Sequence, residues 1–209
     1  MKDVYIINAG GFGRNMASVA RSDSAHGTEW VVRGFLDNRP GLPRVADLPI
    51  VGDPASFRWE PHQILVCALG DPAQRRRYAE PLLAQGADFM NLMPKLHRSD
   101  RVGMGVGCLF EHHVSIGADA QLGSFVIVLA NTIVGYDVHV GSYTTIGSFV
   151  FIGGGAQIGE NVTIHPHATI LPDVKVGDGA TIGAGSVVIG NVAPGTTVFG
   201  NPAKRFSFR

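Results

Sequence analysis

Between Met104 and Val188 the apolar residues recur in sixes. Met104, Phe110, Ile116, Leu122 and every sixth position onward to Ile182 and Val188 are large and apolar, fifteen in succession. In a chain that is 45% hydrophobic, a run of that length has a chance on the order of 10⁻⁵. Glycine follows ten of the fifteen, from Gly105 to Gly183, the exceptions being Glu111, Leu129, His165, Leu171 and Ile189. Four places after each stands a small or β-branched residue, from Cys108, Val114 and Ala120 to Val192. A period of six fits neither a helix nor a plain strand, but it suits a short strand followed by a corner, with glycine supplying the positive φ of the corner. Three units close a triangle of eighteen residues, and successive coils stack as parallel strands roughly 4.8 Å apart. The fifteen units predict five coils around one aliphatic core, ending where Pro194 falls on the next slot and cannot donate to a ladder.

The first hundred residues have another rhythm. Val4–Ile7 is a buried strand, followed by Asn8-Ala9-Gly10-Gly11-Phe12-Gly13 and a helix through Met16, Val19 and Ala20. Trp30–Leu36 is a second strand ending in Asp37-Asn38, and residues 63–68 form a third that leads into Gly70-Asp71-Pro72. Asp71 suits the N-cap and Pro72 the first turn of a helix from about Ala73 to Glu80, which Pro81 ends or kinks. Strand, glycine loop, helix and strand form a βαβ unit whose crevice lies at the strand ends. Asn8 stands where a dinucleotide fingerprint wants glycine, and asparagine is the best substitute in a left-handed turn. Asp37, closing the second strand, occupies a position that commonly meets a ribose hydroxyl. The reading is therefore two domains, 1–98 and 99–209.

Charge and cysteine usage narrow the field. Seventeen basic residues cancel seventeen acidic ones, so there is no basic footprint for nucleic acid. The run Val4–Ile7 is too short for a signal or membrane segment. Cys67 and Cys108 read as buried thiols rather than a disulfide or metal pair. These features point to a cytoplasmic protein.

The repeat of an aliphatic residue, glycine and four more resembles the hexapeptide-repeat acyltransferases, whose fold is a left-handed parallel β-helix; the hand is implied by the resemblance alone. With the α/β unit in front, the chain resembles the sugar-nucleotide acetyltransferases of bacterial surface-glycan synthesis, both the sialic acid O-acetyltransferase group and the enzymes that N-acetylate UDP-4-amino sugars. The segments carrying the likeness are the loop at 8–14, Gly34-Phe35-Leu36-Asp37-Asn38, Val51-Gly52-Asp53, Ala68-Leu69-Gly70-Asp71, the tail from Ile182 to Val188, and Gly200-Asn201-Pro202-Ala203-Lys204. The resemblance implies a Rossmann-like domain that holds a nucleotide-activated sugar at Gly10, Gly11, Phe12, Gly13, Asp37, Asn38 and Gly70. It also implies a homotrimer with acetyl-CoA between neighbouring β-helices, near Gly154, Gly183, Ala184, Lys204 and Arg205, and no metal.

One family feature is missing. The proton acceptor of these enzymes is a histidine followed by an acid, just before an aliphatic-glycine pair. The matching segment Val134-Gly135-Tyr136-Asp137-Val138-His139-Val140-Gly141 has Tyr136 at the histidine and Asp137 at the acid. With an unperturbed pKa near 10, tyrosine stays protonated at neutral pH, so it can donate a hydrogen bond but cannot serve directly as the base. Stacking by eighteen lays Gly153-Gly154-Gly155 over Gly135-Tyr136-Asp137, which predicts a slot for an acyl chain. His139, stacked between Gln121 and Gln157, is the next candidate. His112, His113, His165 and His167 raise a zinc alternative of the trimeric carbonic anhydrase kind, which leaves the first domain without a role. The expected activity is N-acyl transfer to an amino sugar, since an amine needs a general base less than a hydroxyl does. The alternatives are a catalytically impaired sugar-nucleotide-binding homologue and an O-acetyltransferase with a non-histidine base. Phe125, Ile127, Phe149 and Phe151 are expected on outward faces, inviting partner subunits.

Overall fold

A computed structural model describes residues 1–39, 41, 44–45, 47–94 and 96–206. The chain divides into two compact units, Met1–Pro94 and Lys95–Arg209. His97–Arg98, assigned to the first domain from sequence, pairs in parallel with Ser115–Ile116 and so belongs to the second unit.

The first unit contains β1 (Lys2–Ile7), α1 (Gly11–Arg21), β2 (Trp30–Leu36), β3 (Arg44–Val45), β4 (Leu48–Gly52), β5 (Gln63–Cys67) and α2 (Pro72–Leu83). The sheet order is β3-β4-β2-β1-β5, parallel except for the β3–β4 pair. The central strands are buried on both faces, which is why Val4, Ile6, Phe35, Leu65 and Val66 do not alternate with polar residues. α1 turns Met16, Ala17, Val19 and Ala20 inward. Asp71 caps α2 as expected, its carboxylate accepting the Gln74 N–H at 2.7 Å. Pro81 neither ends nor breaks α2. It falls in the last turn, and the Ala84 N–H still reaches the Glu80 carbonyl at 2.9 Å.

The second unit is a β-solenoid of three parallel sheets. Sheet A runs from Gly103–Met104 to Lys175–Val176, sheet B from Leu109–Phe110 to Thr197–Phe199 with Lys204–Arg205 at its edge, and sheet C from His97–Arg98 to Val187–Val188. From coil to coil the register is eighteen residues, as in Gln121↔His139↔Gln157. From Phe110 to Val188 every residue of the ruler enters one continuous core, and Met104 packs half-buried at its end. Buried threonines bind adjacent coils. The Thr132 hydroxyl donates to the Gly147 carbonyl at 2.7 Å and accepts the Val150 N–H at 3.2 Å.

The corners correct the sequence reading. The left-handed residue lies three places after the ruler residue, not one, and is often not glycine: Asp119, Phe125, Asn131, Asp137, Tyr143 and Phe149 all have φ between 56° and 61°. The glycines after the ruler residues meet a different demand. A Cβ on Gly147 would lie 2.7 Å from the Pro166 nitrogen, and one on Gly135 2.7 Å from the Gly154 nitrogen. They are glycine because the backbone of the next coil passes too close for a side chain.

Two further expectations change. Pro194 ends the period of six but not the solenoid, because it lies inside a shortened coil in which Val192 pairs with Val176 and Thr197 with Thr181. Both Val192 and Val198 still enter the core. The chain then folds back, with Lys204–Arg205 antiparallel to Val198–Phe199. Phe125 and Ile127 lie outside the solenoid core, as outward positions should, but are buried rather than exposed. The Phe125 ring stacks at 5.1 Å on Tyr143 and takes the space above Gly107, where a Cβ would come within 2.5 Å of it.

Candidate functional site

In the first unit the carboxyl ends of β2, β1 and β5 lie side by side. A cavity of about 290 Å³ opens there, lined by Ile7, Asn8, Leu36, Asp37, Asn38, Arg39, Pro54, Leu69, Gln74 and Tyr78. Asn8 shapes it. With φ 83° it takes the left-handed turn, its amide donates to the Ala68 carbonyl at 2.8 Å, and its side-chain oxygen accepts the Gly10 N–H at 2.9 Å. The sequence-predicted Asp37 and Asn38 line the cavity. Gly10, Gly11, Phe12, Gly13 and Gly70 stand outside its lining. Gly13 is required for packing, since its Cβ would collide with the Asn8 carbonyl oxygen, whereas a Cβ on Gly11 meets nothing within 4 Å.

Asp37 is the electrostatic centre of this crevice. Its buried carboxylate accepts the Ala9 N–H at 2.7 Å, the Arg39 N–H at 2.9 Å, Arg39 Nε at 2.9 Å and Arg39 Nη2 at 2.6 Å. The hydrogen bonds from the Arg39 side chain, reinforced by the Ala9 amide, pull its pKa down to about 2. Asn38 donates to the Tyr78 hydroxyl at 3.2 Å.

Sequence reasoning missed Arg39, Gln74, Tyr78 and the buried Arg75. The Arg75 guanidinium donates to the carbonyls of Leu69, at 2.5 Å, and Gly70, at 3.2 Å, so it ties down the loop that gives the cavity one wall. It hides in the run Arg75-Arg76-Arg77, but it shares the helical spacing of the buried Pro72, Ala79 and Leu82, and that is the signal that finds it. Cys67 and Cys108 are both buried free thiols, and burial pushes the Cys67 thiol up to about 12.

In the second unit Tyr136, Asp137 and His139 lie together where sheet C turns into sheet A. Tyr136 is 65% exposed and its carbonyl accepts the Gly155 N–H at 2.9 Å. Its ring lies over Gly154, where a Cβ would come within 2.7 Å of it. The slot expected beside the three glycines is therefore occupied by the tyrosine ring at Gly154 and closed by Pro172 at Gly153. His139 is exposed on sheet A, with Nδ1 3.3 Å from the Asp137 carbonyl.

The residues expected at the acyl donor fall on two corners. Gly154 lies at the turn from sheet C to A, whereas Gly183 and Ala184 lie at the turn from B to C. Lys204 and Arg205 are exposed on the edge of sheet B. Gly183 makes room for the Phe199 ring. A hollow of about 450 Å³ on sheet A includes Gln157, Lys175, Asn191 and Pro194. His112, His113, His165 and His167 are exposed, and among the described residues no three potential ligands gather as a metal-binding group.

A parallel α/β sheet with a crevice at its carboxyl edge, joined to a solenoid of hexapeptides, is the build of a two-domain hexapeptide-repeat transferase. Residues 3–82 match the PglD N-terminal domain family, and residues 155–190 match the bacterial transferase hexapeptide family. Each unit thus carries part of the chain's resemblance to the hexapeptide-repeat sugar acetyltransferases. No curated protein sequence matches the chain.

Among solved structures, the acetyltransferase domain of PglB from Neisseria gonorrhoeae FA1090, in complex with acetyl coenzyme A, is 27% identical. That match covers 98% of this chain and 99% of the other, with a TM-score of 0.91. PerB from Caulobacter crescentus, in complex with CoA and GDP-perosamine, is 26% identical over 99% of this chain and 98% of the other, with a TM-score of 0.89. WeeI from Acinetobacter baumannii AYE is 22% identical over 99% of this chain and 100% of the other, with a TM-score of 0.71, and shares the fold. No described helix is long and apolar enough to cross a membrane.

Proposed function

We propose that the protein transfers an acyl group, as acetyl from acetyl-CoA, to the amine of a nucleotide-linked sugar. The observation that carries this reading is the cavity at the β1, β2 and β5 ends, an α/β crevice fitted for a nucleotide, in a chain that resembles PglB and PerB over nearly its whole length. The amine attacks the thioester carbonyl, forming a carbon–nitrogen bond. The carbon–sulfur bond breaks, and the amine proton passes to water or to the departing thiolate. Tyr136 stands at the corner where the family resemblance puts a histidine. Its hydroxyl is a hydrogen-bond donor there, able to align an acceptor but unsuited to remove a proton.

The acyl donor would lie in a groove completed by a second copy. Sheet C lies between the two corners that carry Gly154 and Gly183, and it exposes Ile133, Phe151 and, at its corners, Phe149, Leu171 and Ile189. Such an apolar strip suits burial against another β-helix. A homotrimer is expected, and a monomeric mass by light scattering at micromolar concentration would contradict it.

The Tyr136 ring packed over Gly154 favours one alternative, a homologue that binds the sugar nucleotide without turnover. Measuring acetyl-CoA consumption with a panel of UDP-, GDP- and TDP-linked amino sugars separates the two. Transfer to one of them is the expected result, and binding without consumption would establish the silent reading. On a proven substrate Tyr136→His should raise transfer to a hydroxyl acceptor by part of the 10²–10⁴-fold general-base factor, and transfer to an amine by less. If Tyr136→His and Tyr136→Phe both match wild type, the catalytic role passes to His139.

A further inference from the structure

The position that closes the second strand of an α/β nucleotide fold ordinarily offers its carboxylate to a ribose. Here it cannot. A carboxylate has about four acceptor sites, and Asp37 uses them on the amides of Ala9 and Arg39 and on Nε and Nη2 of Arg39. The acid is spent within the protein. What it presents to the cavity instead is a guanidinium in a fixed plane, half-exposed and part of the cavity wall.

The manner of the pairing determines what that guanidinium can read. Asp37 binds the side of the fork formed by Nε and Nη2, so the end formed by Nη1 and Nη2 remains as a second pair of parallel donors. Two parallel donors match two neighbouring coplanar acceptors. The Hoogsteen edge of guanine, O6 and N7, offers that pair, whereas adenine places a donor beside N7 and thymine or uracil has a lone O4 there. The other walls suit a base as well. Pro54, Leu69 and the Tyr78 ring are apolar surfaces, while Asn38 and Gln74 supply amides.

We propose that Arg39, positioned by Asp37, reads the base of the bound nucleotide and selects guanine, so that the sugar substrate is GDP-linked. This rests on the nucleotide-sugar reading of the cavity.

The test is calorimetric titration of the full-length protein with GDP, UDP, TDP, ADP and CDP at one ionic strength. Wild type should bind GDP roughly tenfold to a hundredfold tighter than the others. Arg39→Gln should remove most of that preference while changing UDP affinity little, and Arg39→Lys, which keeps the charge but not the fork, should remove it too. Asp37→Asn, which loosens the guanidinium, should lower the GDP-to-UDP ratio, a readout that a merely structural role would not move. A wild-type preference for any other base would overturn the proposal, CDP included, since cytosine also has adjacent acceptors. So would equal losses for GDP and UDP in Arg39→Gln. If no nucleoside diphosphate binds at all, the nucleotide-sugar reading fails along with it; if UDP binds tightest, only the assignment of guanine fails.

Discussion

Gly13 and Gly147 stand in different units and obey one constraint. Each faces a backbone too close to admit a Cβ, the Asn8 carbonyl in one case and the Pro166 nitrogen in the other. In both units, too, non-glycine residues take left-handed conformations nearby, Asn8 in the first and corner residues such as Asp137 and Phe149 in the second. The difference lies in how the constraint is shared. In the solenoid it recurs at many corners, each holding one coil against the next. In the first unit it falls on Gly34, beside the Pro49 carbonyl, and on the joint between β1 and α1, beside the cavity. A single overcrowded corner should therefore strain one contact among many, whereas an overcrowded joint should disturb the whole crevice.

The sharpest break of this comparison is Gly13→Val. It should cost the first unit more than ~3 kcal/mol, the upper range for an overpacked site, and abolish nucleotide binding while the solenoid still melts cooperatively. Two separated transitions in a calorimetric scan would show it; an unchanged first transition would contradict the contact with Asn8. Gly147→Ala should cost about 2–3 kcal/mol of solenoid stability by denaturant titration, because the Pro166 backbone must give way.

The acid limb tests the first unit through Asp37. The Asp37 pKa is depressed from the ordinary value of roughly 3.9 to about 2. Its contribution, about 2 kcal/mol after allowance for solvent screening, is present in full above pH ~5 and lost as pH falls through ~4 to ~2. Asp37→Asn should remove that part of the pH dependence, read from denaturant midpoints between pH 2 and 5. The smallest effect expected is from Asn161→Gly. Its φ of 54° is already left-handed, so relief of strain offsets lost chain rigidity and the change should stay below about 1 kcal/mol.

The two units also differ in how much of them sequence exposes. Along the solenoid a residue's neighbour follows by adding eighteen, so the Gln121–His139–Gln157 column and the closeness of Tyr136 to Gly154 are legible from residue numbers alone. What arithmetic misses is direction and distance. It put the left-handed residue on the wrong side of the corner, left the outward Phe125 and Ile127 uncovered, and did not see that the tyrosine ring would fill its own slot. In the first unit the strands and the Asp71 cap follow from pattern, but the site depends on particular side chains meeting. Nothing in Asp37-Asn38-Arg39 reveals that the arginine turns back to occupy the acid, and charge suggests a solvated Arg75 where the fold buries it.

The folded-back tail has a consequence for the size of the assembly. A parallel solenoid ends in unpaired strand edges, and an edge of that kind templates addition of another chain and, in time, a fibre. Here the final turn covers each sheet in a different way. Val192 lies over sheet A, the Gly200 carbonyl and the Ala203 N–H close on Val187 at the edge of sheet C, and Lys204–Arg205 turns the last strand of sheet B into an antiparallel hairpin. The outermost strand thus runs against the direction of the stack and carries two exposed cations, so a second molecule arriving end-on finds neither the polarity nor the neutral edge it would need to continue the ladder.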